Sequence, residues 1–176
     1  LDWGRDTLIF LRGMIAAGRA AEARSVLRAF GRFEDRGTLP NMIRGNDATN
    51  RDTSDAPLWF CIACADLAAA AGVRATLALD CGGRSLADVI ASVLSHFRDG
   101  TPNGICADPG SGLVFSPSHF TWMDTNHPAG TPRQGYPVEI QALWIAALRF
   151  AARHLASRLP WAAALAEQAG RSLGDL

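Results

Sequence analysis

The chain has 176 residues, 48% apolar and 19% charged, with a formal net charge of zero. That is enough for one domain with its own core, and neutrality argues against nucleic acid or an anionic membrane surface as the main partner. No apolar run approaches the ~20 residues of a membrane span, and an opening on Leu1-Asp2-Trp3 without methionine reads as a cut inside a longer protein.

Helical periodicity dominates the chain. From Thr7 to Ala17 apolar residues recur at helical spacing, and Gly18 is placed to end that helix. A second helix is predicted from Ala20 to Phe33, with Ala23, Val26, Leu27 and Phe30 on one face. Gly37 to Thr53 reads as a polar loop. A third helix begins near Ala56-Pro57 and runs through an alanine-rich stretch to Gly72. It contains Cys61-x-x-Cys64, but no second Cys or His pair stands at zinc-ligand spacing and no βαβ setting suggests a redox pair. Free core thiols are the expectation, and they fit a reducing, cytoplasmic compartment.

A fourth helix, Ser85 to Phe97, carries Leu86, Val89, Ile90, Val93 and Leu94 on one stripe. Asp99 to Gly135 is the longest irregular stretch, well beyond the ~15 residues usual in compact domains. Its Phe115, Phe120, Trp122 and Met123 predict an ordered functional loop, with a short strand or two near residues 112–115. A long helix follows from Tyr136 or Pro137 to about Ser157, then a last one from Pro160 to Ala169. Six helices with alternating short and long connections suggest antiparallel hairpins. Those at 58–71 and 138–155 are apolar on nearly every side, as for helices walled in by neighbours.

Three polar clusters stand where helices begin. Trp3-Gly4-Arg5-Asp6-Thr7 combines an indole that stacks on a pyranose with a guanidinium and carboxylate that hold hydroxyls; alternatively Asp6 or Thr7 caps the helix. In Asn50 to Trp59, Ser54 and Asp55 are credible N-caps. The third cluster joins Phe120-Thr121-Trp122-Met123-Asp124 to Thr131-Pro132-Arg133 and Glu139. Apolar flanks raise a carboxyl pKa and suit Asp124 to general-acid work. Glu139 is either a capping or helix-dipole residue or a substrate contact. His119 and His127 flank Asp124 without metal-ligand spacing and read as solvent-facing loop histidines; no metal and no cofactor are expected.

WGRDT, LPN at 39–41, DAPLWF at 55–60, TWMD at 121–124 and TPRQGYPVEIQALW at 131–144 occur in the order seen in the glycogen-debranching amylo-α-1,6-glucosidase family, which this chain resembles from Trp3 to about Leu148. The resemblance implies an all-α fold, here a partial (α/α)6 toroid formed by residues 1–176 as a single domain within a larger glucosidase domain. It implies an α-glucan such as glycogen or a limit dextrin as partner, hydrolysed at α-1,6-linked glucose by inversion. Asp124 would be the general acid. Trp3, Arg5 and Asp6 would grip the terminal glucose, with Asp55, Trp122, Arg133 and Glu139 as further substrate contacts.

Inversion needs a second carboxylate ~6.5–9.5 Å from the first. In the family it comes later than residue 176, and Glu167, in a surface-facing helix, is not a candidate. The chain is expected to lack the base and to need the rest of the toroid, or a homodimer partner, over its apolar surface. Arg51-Asp52 stands where the family usually has Tyr-Asn, and Gln141 to Ala146 replaces Asn-Ala-Leu-Trp-Tyr-Asn. Two other readings remain: a non-catalytic carbohydrate-binding or assembly module, and a glucoamylase- or trehalase-like enzyme.

Overall fold

The computed structural model describes residues 2–45, 47–125 and 130–174. Among these are seven helices and two small antiparallel sheets. Strand β1 (Asp2–Trp3) pairs with β2 (Met42–Ile43), with Trp3 opposite Met42. Helix α1 (Gly4–Ala16) starts at once, its first amide donating to the Asn41 carbonyl at 2.8 Å. A Cβ on Gly4 would collide with the Pro40 carbonyl oxygen, so only glycine allows this approach. The helix ends as expected at Gly18, whose φ of +78° is the left-handed conformation glycine adopts freely.

Helix α2 (Ala20–Gly31) folds back on α1 and buries Ala23, Leu27 and Phe30. Helix α3 (Asp55–Ala71) is the centre of the molecule. It packs on α1, α2, α5 and α6 and buries ten of its residues, as its apolar character predicts, while Trp59 and Ile62 on one side stay half-buried. Helix α4 (Val73–Leu77) is a short helix beyond the six expected; Gly72, at φ +93°, ends α3 and reorients the chain before α4 begins. Helix α5 (Leu86–Asp99) opens with a capping box: Ser85 Oγ accepts from the Asp88 amide while the Asp88 carboxylate accepts from the Ser85 amide.

Strands β3 (Cys106–Ala107) and β4 (Val114–Phe115) form a hairpin inside the long loop. Helix α6 (Val138–His154) grips it. Gln141 is fully buried, its side-chain oxygen accepting from the Val114 amide at 2.7 Å and its nitrogen donating to the Val114 carbonyl at 2.9 Å. The Trp144 indole N–H donates to the Gly112 carbonyl at 3.0 Å. Helix α7 (Ala162–Gly174) packs on α6 and runs five residues past the expected end. Unlike α3, α6 is not walled in: Val138, Ala142 and Ala146 are exposed.

Helices α1 and α3 run in the same direction, joined by the Arg5–Asp55 and Arg12–Asp66 pairs, and α6 packs on α3. Arg5, Ile9 and Arg12 of α1, Asp55, Trp59 and Ile62 of α3, and Glu139, Leu143 and Ala146 of α6 line one groove. Their N-termini therefore meet at one end, where the long loop also lies.

Candidate active site

Three helix N-termini and one loop build the site. Arg5, in the first turn of α1, turns its Nε to the Asp55 carboxylate at the start of α3. Its Nη1 reaches Asp124 Oδ2 at 3.4 Å. Asp55 is 3% exposed and also accepts from the Thr53 hydroxyl at 2.7 Å. Ser54 occupies the N-cap position of α3, as expected, but its side chain makes no capping bond; that bond comes from Thr53, whose Oγ1 accepts from the Ala56 amide. Burial alone would lower the Arg5 pKa. The hydrogen bond and charge of Asp55, with less from Asp124, raise it above the ordinary arginine value. The guanidinium stays charged and fixes the relative placement of the two carboxylates.

Loop closure brings Asp124 here. Ser116 and Gly135 exchange backbone hydrogen bonds of 2.7 and 3.0 Å, and the His119 amide donates to the Pro132 carbonyl. The Ser54 amide donates to the Phe120 carbonyl at 2.7 Å, tying the loop to the start of α3. The aromatic flanks suggested apolar surroundings for Asp124; instead it is partly exposed and lies against the Arg5 cation. Glu139 does not cap α6, where no side-chain cap bond is present. Its carboxylate receives Arg133 Nη2, and the Arg133 guanidinium lies 5.8 Å from the Trp122 ring centre.

Two depressions meet at the Arg5–Asp124 contact. One, of about 450 Å³, is polar; Trp3, Asn41, Asp52, His119, Phe120 and Asp124 are on its walls. The other, of about 500 Å³, is the apolar groove over α1, α3 and α6, with Trp59, Trp122 and Leu143 beside Arg5, Asp55 and Glu139. Trp3 is 43% exposed and Trp122 58% exposed, so each presents a ring to solvent. A hydroxyl-rich ring with one apolar face matches such walls.

A model of the amylo-α-1,6-glucosidase family matches residues 1–163. The chain belongs to that family. The glycogen debranching enzyme of Saccharomyces cerevisiae (strain ATCC 204508 / S288c) is 27% identical over an alignment of 202 residues, covering 84% of this chain. The chain spans 13% of the length of that relative.

Within this family member, seven of the eight residues singled out from sequence gather at the junction: Trp3, Arg5, Asp55, Trp122, Asp124, Arg133 and Glu139. Asp6 does not join them; it is exposed on α1, lines neither depression and does not cap the helix. His119 is half-buried, with a left-handed backbone (φ +63°), and not solvent-facing as its loop position suggested. His127 lies outside the described residues. Among the described residues, no group of three or more His, Cys, Asp or Glu is placed to hold a metal. Arg51, one of the departures from the family pattern, is a brace: its guanidinium donates to the Thr38 carbonyl and hydroxyl and to the Phe33 carbonyl. Sequence reasoning missed Asn41, although its place in the LPN motif was a signal that could have found it. Glu167 is exposed on α7, away from the junction.

Proposed function

We propose that this chain is part of the catalytic domain of a glycoside hydrolase that removes α-1,6-linked glucose from a glycogen-type α-glucan with inversion. The observation that carries the reading is the meeting of Arg5, Asp55 and Asp124 where three helices begin, in a member of the amylo-α-1,6-glucosidase family. Asp124 is the general acid that protonates the glycosidic oxygen. It is the member of the trio held at the longer distance, on the wall of the polar depression, where a leaving oxygen reaches it.

Asp55 and Glu139 are not free to activate a water: Asp55 is held by Arg5 and Thr53, and Glu139 by Arg133. They position the cluster, and in this reading, as the family resemblance implies, the base is a carboxylate of the larger glucosidase domain outside this chain. Helices α1, α3 and α6 are then inner staves of a toroid, α2, α5 and α7 outer ones, and residues 1–176 form a single domain-sized piece of it. Supporting this, Ile9 and Trp122 line the groove and are exposed, where the remaining staves or a second copy would cover them.

Glucose release from isomaltose and from a phosphorylase limit dextrin by the intact protein tests the reading. Release that falls sharply on Asp124→Asn supports it. Retained sugar binding without any turnover in the parent protein would favour a non-catalytic carbohydrate-binding module.

A further inference from the structure

Ser54 stands at the N-cap position of α3, where a serine hydroxyl ordinarily accepts from the first turn of its own helix. Here it does not. Its ψ of −25° is already helical, and Thr53 supplies the capping bond instead. The Ser54 hydroxyl is spent elsewhere: it meets the hydroxyl of Ser116, distant in the chain, at 2.8 Å. Both residues are fully buried. With Ser54 donating to Ser116, and Ser116 donating on to the Pro117 carbonyl at 3.4 Å, neither proton is stranded.

The backbone of the same residue makes a second tie. The Ser54 amide donates to the Phe120 carbonyl at 2.7 Å, while Ser116 exchanges both backbone bonds with Gly135. Thr121, also fully buried, follows, and its hydroxyl accepts from the Met123 amide at 3.4 Å. The segment from Ser116 to Thr121 is thus pinned to one residue at the start of α3, and Asp124 lies just beyond it. Asp55, next after Ser54, holds Arg5, and Arg5 reaches Asp124. Two consecutive residues therefore fix the loop and the cation that its carboxylate faces.

We infer that Ser54 and Ser116 are positioning residues for Asp124, their buried hydroxyl pair latching the acid-bearing loop to the start of α3 so that the carboxyl stays over Arg5. The inference rests on the α-glucosidase reading. Neither serine lines the polar depression or the apolar groove, so substrate contact is not what they supply. What they supply is placement. A reacting group displaced by about 1 Å loses on the order of 10²-fold in rate, even when the change lies away from the chemistry.

Two substrates, given to the intact protein, separate placement of the acid from a merely structural role. Isomaltose leaves through a sugar oxygen that needs the acid's proton; α-D-glucosyl fluoride loses fluoride, which departs without one. In Ser54→Ala and in Ser116→Ala, kcat on isomaltose should fall by about tenfold to hundredfold, with KM and fluoride turnover within about threefold of the parent. The double variant strands no hydroxyl and should lose no more than either single one, as one shared bond requires. It also serves where a single variant fails to fold. In the Asp124→Asn background, Ser54→Ala should cost nothing further on isomaltose. An equal loss on both substrates, or none on either, overturns the positioning role and leaves the glycosidase reading intact. No turnover of either substrate by the parent overturns that reading, and the inference with it.

Discussion

Arg5 and Asp55 stand fifty residues apart in sequence, and the guanidinium of one donates directly to the carboxylate of the other across the α1–α3 interface. Asp55 is almost wholly enclosed, so this pair is structural and orienting at once. Replacing Asp55 by Ala leaves a partly buried guanidinium without its main partner. Breaking such a pair costs about 3–5 kcal/mol, to be read as a lower denaturant midpoint with an unchanged slope.

Under the proposed assignment of Asp124 as general acid, Asp124→Asn removes the proton that the leaving oxygen requires but alters neither size nor loop closure. Glucose release from isomaltose should fall by about 10²- to 10⁴-fold, the usual worth of a general acid. Thermal stability should remain near that of the parent, because Asp124 is the more distant partner of Arg5. An equal loss of stability and activity would point to a structural role only.

Gln141 joins α6 to the β3–β4 hairpin through both ends of its amide. Gln141→Leu keeps the volume roughly but strands the buried Val114 amide and carbonyl. A destabilisation of about 1–3 kcal/mol is expected, with hydrogen exchange at Val114 accelerated more than in α2.

The Cys61 and Cys64 thiols are fully buried, and burial pushes both pKa values up, with the Glu34 charge adding to the shift at Cys61. An unfolded thiol ionises near ~8.5. Below that pH both states keep the proton and stability is unaffected; above it the unfolded chain loses protons that the folded chain holds. Stability should therefore decline as pH rises past about 8.5. The chain contains no lysine and one tyrosine, so few other side chains titrate there. The double variant Cys61→Ala/Cys64→Ala should flatten the alkaline limb, and both thiols should resist thiol reagents until the chain unfolds.

Much of the helical framework was legible because its residues follow local rules. The α5 stripe of Leu86, Val89, Ile90, Val93 and Leu94 is buried as its spacing requires, and Gly18 ends α1 through its own backbone freedom. Strands β1 and β2 were not legible. Two residues carry no periodicity, and the pairing of Trp3 with Met42 depends on Gly4 docking against Pro40 and Asn41. The exposure of Val138, Ala142 and Ala146 on α6 was equally hidden. An apolar helix announces a preference for burial but not which neighbours are present.

By itself, the sequence determined the family and the helical class, because ordered motifs and 3.6-residue spacing are properties of the chain. It also marked most of the junction residues through those motifs. Tertiary structure alone decided how they are used. It paired Arg5 with Asp55 and only more distantly with Asp124, engaged Glu139 with Arg133, left Asp6 outside, and brought Asn41 and His119 to one depression. The physical reason is that side-chain chemistry is carried by each residue, whereas partners, burial and distance arise only when segments far apart in the chain pack together.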